Sequence, residues 1–313
     1  MCPSGGRHIG IGPDRHPTKD PSIPVRHTLI AGATATGKSD LALRWARETG
    51  GVVVNADSQQ LYAGLRVLTA RPSAEDEALV PHRLYGIVDP ADAWSVGRWL
   101  SAVQALIETE DRPLILVGGT GLYFRALLKG LAPVPEIDTG IRNLIEAEYE
   151  AVGEATFRRH LAHDDPAAEA RIAPGDRQRL IRARAVAMST GRSLTSWQSE
   201  VSRPLIAPEA CDRLVVERDR DALYQRCDRR VDVMLAGGAI AEVEALLARR
   251  LPADLPAMLA VGVREIAAAL SGEIDLEQAT ERLKTRTRQY AKRQLTWFRN
   301  QTSDWPRTKI AEL

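Results

Sequence analysis

The 313-residue chain has few cysteines, no long apolar run and almost no net charge. Its three cysteines, Cys2, Cys211 and Cys227, are too few and too scattered for a disulfide framework or a zinc cage, which points to a reducing compartment. No apolar stretch approaches the roughly 20 residues needed to span a bilayer, and residues 1–26 lack the apolar core of a signal peptide. Lys and Arg number 42 against 41 Asp and Glu, so the chain carries no general positive coat, although local patches stay open. What remains is an ordinary soluble composition, 44% hydrophobic and 27% charged. The length suits one large domain or two modest ones, each able to bury a core without staples.

Met1 to Arg26 is crowded with Gly and Pro, which neither hold a helix nor bury much surface, so it reads as a disordered leader. The same breakers spoil the amphipathic helix of a transit peptide. Order is expected from His27. Thr28-Leu29-Ile30-Ala31, Val52-Val53-Val54, Leu114-Ile115-Leu116-Val117 and Leu214-Val215-Val216 are short apolar strands separated by helical patterns. That alternation predicts a parallel sheet covered on both faces. Between Pro133 and Pro204 the chain turns Ala-, Arg- and Glu-rich with no strand signal, which predicts a helical insertion. From Asp221 onward it is helical again, broken at Gly237-Gly238 and Pro252. The expected fold is α/β: a P-loop NTPase-like parallel sheet flanked by helices. Its core takes residues 27–132 and 205–313, and a small helical insertion domain takes 133–204.

Gly32-Ala33-Thr34-Ala35-Thr36-Gly37-Lys38-Ser39 fits the phosphate-binding pattern G-x-x-x-x-G-K-[ST], with a strand before it and a helix after. The glycines let successive N–H groups point into one concavity, and the helix N-terminus adds partial positive charge. Lys38 supplies a full charge and Ser39 a hydroxyl suited to Mg²⁺. The bland alternative is a Gly-rich turn with no ligand. Many P-loop NTPases end a neighbouring strand in a metal-holding Asp. Here the strand 114–117 runs instead into Gly118-Gly119-Thr120-Gly121. That speaks against nucleotide hydrolysis and for a second close approach of backbone to ligand, or simply a tight strand-to-helix turn. After Val54 comes Asn55-Ala56-Asp57-Ser58-Gln59-Gln60. At a strand's carboxyl end Asp57 could bind a metal, orient a substrate or take a proton, or Asp57 or Ser58 could merely cap a helix.

The P-loop, Asp57-Ser58-Gln59-Gln60-Leu61-Tyr62 and Gly118-Gly119-Thr120-Gly121-Leu122-Tyr123 occur in the order and spacing of the tRNA dimethylallyltransferase (isopentenyl-tRNA transferase) family. The resemblance runs on through Arg71-Pro72, Pro81-His82-Arg83, Gln178-Arg179-Leu180-Ile181-Arg182, Val261-Gly262-Val263-Arg264-Glu265 and Gln289 to Arg299, and covers about 28–299. Ala33 replaces the family's usual proline, Thr36 its serine and Val263 its common tyrosine; none of these removes a charged or metal-binding group.

The resemblance implies transfer of a dimethylallyl group from dimethylallyl diphosphate to N6 of adenosine 37, just 3′ of the anticodon. The substrate is a tRNA anticodon stem-loop of the A36-A37-A38 type. The P-loop residues Gly32, Ala33, Thr34, Ala35, Thr36, Gly37, Lys38 and Ser39 then hold the departing diphosphate, with Mg²⁺ near Ser39. Lys38 and Thr120 share the growing charge, Arg264 neutralises more of it, and Asp57 accepts an N6 proton. Implied tRNA contacts are Asp57, Ser58, Gln59, Gln60, Thr120, Arg142, Gln178, Arg179, Leu180, Ile181 and Arg182. A cytoplasmic monomer with no membrane association suits such a protein.

Two basic stretches support an RNA partner. Arg177, Arg179, Arg182, Arg184 and Arg192 have no acid between them, and Arg282 to Arg299 is basic with Tyr290, Trp297 and Phe298 interleaved. Two competing readings remain, a P-loop small-molecule kinase using Asp57 as base and a P-loop RNA-binding module without transfer chemistry. The first has no need of the arginine-rich stretches, and the second has no need of Asp57 beside a phosphate cradle.

Overall fold

The computed structural model describes residues 25–200 and 203–310. Most of the expected leader, and Cys2 with it, therefore lies outside the described residues. Arg26, its last residue, is tied to the core, its guanidinium donating to Asp212 Oδ1 at 2.9 Å and to the Glu209 carbonyl at 2.9 Å.

Six strands form one parallel sheet: β1 (His27–Gly32), β2 (Val52–Asn55), β3 (His82–Arg83), β4 (Leu114–Gly118), β5 (Cys211–Glu217) and β6 (Arg307–Lys309). Their spatial order is β3-β2-β4-β1-β5-β6. Strand side chains alternate in direction, so one apolar run feeds two cores. Leu29, Val52, Val54, Leu114 and Leu116 enter the larger cluster, whereas Ile30, Val53, Ile115 and Val117 enter the smaller one on the opposite face. The four apolar strands lie where the sequence predicts. The edge strands β3 and β6 do not announce themselves, being two or three polar residues long, and β6 interrupts a C-terminal region expected to be wholly helical.

Helix α1 (Lys38–Thr49) follows β1, entered through Gly37 at φ 94° and closed by Gly50 at φ 68°. Helices α2 (Ala74–Leu79), α3 (Val96–Thr109) and α4 (Gly121–Lys129) complete the first half. Between 133 and 204 the described residues carry only helices: α5 (Thr139–Asp164, kinked at Gly153), α6 (Pro166–Arg171), α7 (Arg177–Thr190) and α8 (Leu194–Gln198). They gather around their own cluster, which includes Ile145, Phe157, Leu161, Leu180 and Ile181. After β5 come α9 (Arg220–Ala236), α10 (Ala239–Ala248), α11 (Val263–Leu270) and α12 (Leu276–Gln301). One stripe of α12 is buried, through Leu283, Thr287, Ala291, Gln294 and Phe298, the three-and-four spacing of a helix face pressed on a core.

Candidate active site

Strand order decides what meets what. The carboxyl ends of β1, β4 and β2 are adjacent, so the P-loop, the Gly118–Thr120 turn and Asp57 stand side by side, with the glycine turn between the other two.

The P-loop is braced from within. Thr36 Oγ1 donates to the Ala33 carbonyl at 2.9 Å, and Lys38 Nζ folds back to the same carbonyl at 3.2 Å. A Cβ on Gly32 would sit 2.8 Å from the Val216 carbonyl oxygen, so glycine is required where the loop leaves the sheet. Ala35 takes φ 63°, the left-handed conformation that an alanine adopts only under constraint. That constraint includes Arg226, whose Nε donates to the Ala35 carbonyl at 3.0 Å. Ser39 is exposed at the mouth of the loop.

A cavity of about 250 Å³ opens here, lined by Lys38, Ser39, Arg71, His82, Arg226 and Arg230 among others, with Asp40 and Asp76 as its acids. Burial pushes the Lys38 ammonium down to about 8, against the pull of Asp57 and with the help of Arg230. Burial likewise lowers Arg230, and Asp57 again opposes the shift. Arg230 is fixed to the Thr69 carbonyl at 3.0 Å. The cavity therefore gathers four cationic side chains, Lys38, Arg71, Arg226 and Arg230, against two carboxylates.

Asp57 does not line that cavity; it stands beside it, close enough to attract both cations. Its backbone N–H donates to Asn55 Oδ1 at 2.7 Å, and Asn55 Nδ2 donates to the Asp57 and Leu84 carbonyls at 2.9 Å each. Asp57 Oδ1 accepts the Gln59 N–H at 3.0 Å, so the cap-like reading of this residue is right locally, although turns and not a helix follow. Three phenols feel its charge. Burial and Asp57 together raise Tyr85, Tyr123 and Tyr290 far above the usual tyrosine range, which keeps them neutral donors.

The glycine turn is a close approach, and each glycine has its own neighbour. A Cβ on Gly118 would meet the Ala56 carbonyl oxygen at 2.0 Å; on Gly119, Gln294 Nε2 at 2.1 Å; on Gly121, the Trp297 ring at 2.1 Å. Thr120 Oγ1 accepts the Ser58 N–H at 2.9 Å and donates to Ser58 Oγ at 3.2 Å, so its hydroxyl ties the turn to the segment after Asp57. Gln59 Oε1 accepts the Val261 N–H at 3.0 Å and Gln60 Nε2 donates to the Thr69 and Ala70 carbonyls at 2.9 Å. Both amides hold flanking loops in place.

Several expected residues fall elsewhere. Leu180 and Ile181, expected among tRNA contacts, are buried in the α5–α8 core, because a helix turns them away from the face that carries Gln178, Arg179 and Arg182. Phe298, expected as a stacking ring, is 1% exposed and belongs to the main core, while Trp297 packs on Gly121. Arg264 is exposed at the start of α11, outside the cavity lining. Much of the α7 charge is already paired: Arg177 with Glu150, Arg179 with Asp176, Arg184 with Asp164 and Glu148. Arg182 is different. Burial, and after it the positive charge of Arg142, lowers its pKa.

Four residues are given no role by the sequence: Asn55 and Gln294, which lie inside quoted motifs, and Arg226 and Arg230, which do not. Arg226 and Arg230 lie one turn apart on α9, but Asp221, Asp228 and Asp232 leave its four arginines a net charge of only +1.

The IPP transferase family model matches residues 60–301. A tRNA dimethylallyltransferase of Caulobacter sp. strain K31 is 55% identical over 284 residues, covering 90% of this chain and 92% of that protein. One of Phenylobacterium zucineum is 56% identical over 282 residues, covering 89% and 91%. Among solved structures, a tRNA isopentenylpyrophosphate transferase of Bacillus halodurans is 33% identical with a TM-score of 0.63, covering 91% of this chain and 90% of that one. A eukaryotic dimethylallyltransferase acting on tRNA is 26% identical with a TM-score of 0.74, covering 88% and 70%.

Proposed function

The chain belongs to the IPP transferase family, and on that premise we propose that it transfers a dimethylallyl group from dimethylallyl diphosphate to N6 of adenosine 37 in tRNA. The bond from the allylic carbon to the diphosphate oxygen breaks, and its electron pair leaves with the diphosphate. The N6–carbon bond forms, and an N6 proton passes to Asp57. The observation that carries this reading is the strand order, which sets the P-loop and Asp57 two strand spacings apart, about 10 Å. That leaves room for the diphosphate, the one allylic carbon that changes partners and the N6 amine to stand in line.

Lys38, Arg226 and Arg230 neutralise the diphosphate together with the P-loop amides. Arg230, inside the cavity lining, joins Arg264 among the candidates for neutralising phosphate charge. The adenine amine is a weak nucleophile because its lone pair is delocalised into the ring. Asp57, fixed by Asn55 and the Gln59 N–H, orients that amine and takes its proton. Thr120 keeps the segment after Asp57 against the glycine turn.

Mg²⁺ fits the donor set. No group of three or more His, Cys, Asp or Glu able to cage a cation occurs among the described residues, whereas Ser39 offers an exposed hydroxyl beside a diphosphate site. Mg²⁺ characteristically keeps its waters and binds through few protein oxygens plus phosphates. When bound it offsets charge on the departing diphosphate.

The target base must leave its stack to reach this crevice, which single-stranded anticodon loops permit. Residues 133–204 serve as a tRNA-contacting insertion, with Arg142 and Arg182 as a phosphate clamp. A tRNA substrate puts this activity in the cytoplasm, and no described helix is long and apolar enough to cross a membrane. The protein acts as a monomer, both chemical sites being built from one chain.

The test mixes protein, Mg²⁺ and unmodified tRNA of the A36-A37-A38 type with either dimethylallyl diphosphate or ATP. The expected result is a gain of one C5H8 unit on the tRNA with the diphosphate alone. Phosphorylation of a small acceptor by ATP would favour a kinase instead, and tRNA binding without transfer a passive module.

A further inference from the structure

Gln294 is the one long polar side chain in the buried stripe of α12, 6% exposed. Its amide is spent on two partners remote in sequence. Oε1 accepts the Thr34 N–H at 2.8 Å, and Nε2 donates to the Gly119 carbonyl at 3.0 Å. Thr34 lies in the P-loop and Gly119 in the glycine turn. A Cβ on Gly119 would also lie 3.3 Å from Asp57 Oδ2, so the turn is wedged between the Gln294 amide and the Asp57 carboxylate. Thr120, the next residue, is bonded to Ser58. One continuous chain of contacts thus joins the diphosphate cradle to the proton acceptor: Thr34, Gln294, Gly119–Thr120, Ser58 and Asp57.

We propose that Gln294 is a positioning residue that sets the separation between the P-loop and Asp57, so that leaving group and nucleophile are held in line. The proposal rests on the prenyl-transfer reading above. Three features support a positioning role over simple core filling. An apolar residue of the same length would suit the stripe equally well. Both amide atoms are used, one on each functional loop. Gly119 lacks the side chain that would push the amide away. Misplacement of reacting groups by about 1 Å costs rate far more than affinity, so Gln294 acts on turnover and leaves each substrate to bind by its own contacts.

Gln294→Leu and Gln294→Glu test this by steady-state kinetics at saturating tRNA and diphosphate. Leu keeps the size and loses both bonds; kcat is expected to fall about 10- to 100-fold while KM for each substrate stays within about threefold. Glu distinguishes positioning from packing. Its protonated acid accepts from Thr34 N–H and donates to the Gly119 carbonyl as the amide does; its ionised form keeps the Thr34 N–H but turns a charged oxygen on that carbonyl and towards Asp57. Relative to wild type, Gln294→Glu is therefore expected to recover turnover as pH falls and lose it as pH rises. Wild-type kcat in Gln294→Leu, a loss confined to KM, or a Gln294→Glu profile parallel to wild type would each overturn the proposal while leaving the reaction intact. Absence of transfer by the wild-type chain would overturn the reading beneath it and the proposal together.

Discussion

At Asp57 a single atom change separates geometry from chemistry. Asparagine preserves the Oδ1 that accepts the Gln59 N–H and leaves the Asn55 contacts to the backbone untouched. It removes the proton acceptor and, with it, the negative charge that supports buried Lys38 and Arg230. Asp57→Asn is expected to fold with a somewhat lowered melting temperature, to retain tRNA affinity, and to lose about 10²–10⁴-fold in turnover. Normal single-turnover rates in this variant would remove Asp57 as the base. Lys38 offers the opposite case, a residue that function keeps at a cost to stability. Burial lowers its pKa to about 8 from 10.5. The unfolded chain thus holds more protons between those values, and stability at this residue rises with pH across that window, the penalty being full below pH 8. Lys38→Met should raise the melting temperature at neutral pH. Diphosphate restores the charged form, so pyrophosphate binding at pH 8 should take up protons in wild type and fewer in Lys38→Met. Calorimetry in two buffers of different ionisation heat reads the difference; equal uptake would refute it.

The glycine turn between β4 and α4 carries the element-scale argument. A Cβ on Gly118 meets backbone, which cannot yield, whereas one on Gly119 meets a side-chain amide, which can. Gly118→Ala is therefore expected to destabilise the fold by about 1–3 kcal/mol as an overpacked site. Gly119→Ala should keep most stability and lose at least about tenfold in turnover as Gln294 is displaced. Thermal melts beside kinetics separate the two, and matching losses in both variants would contradict the distinction. The turn also marks the limit of what the sequence discloses. Its glycines signal close approach, but not that Ala56, Gln294 and Trp297 are what approaches. Those neighbours come from β2 and α12, 62 to 176 residues away along the chain, and only the sheet order joins them. β1, β2, β4 and β5 are legible because burial on both faces demands apolar runs. β3 and β6 are not, because short edges demand nothing apolar. Leu180, Ile181 and Phe298 are buried for one reason that a motif read as a block ignores: a helix gives one face, at three- and four-residue spacing, to the core. Arg230 stays hidden among acids that face solvent while it faces the cavity.

Over the whole molecule, charge near zero coexists with a grip on a polyanion because pairing decides which cations are available. Arg184 is held by Asp164 and Glu148 and is half-buried, so its charge is spent inside the insertion. Arg182 instead feels the positive charge of Arg142, and among the described residues no carboxylate pairs with it, Arg142 itself being partnered by Glu146 at 2.9 Å and by Asp254 at 3.9 Å. Two guanidiniums that repel each other are relieved when an anion enters between them, and an RNA phosphate is that anion. Each phosphate neutralised releases counterions and adds about 0.7–0.9 to the slope of log affinity against log salt. Arg182→Ala is expected to weaken tRNA binding and flatten that slope by about one contact. Arg184→Ala is expected to leave the slope alone and lower the melting temperature, because Asp164 and Glu148 lose their partner. Filter binding across a salt series with both variants decides the matter: equal slopes in wild type and Arg182→Ala would remove the clamp, and a slope lost with Arg184 would move it two residues along α7.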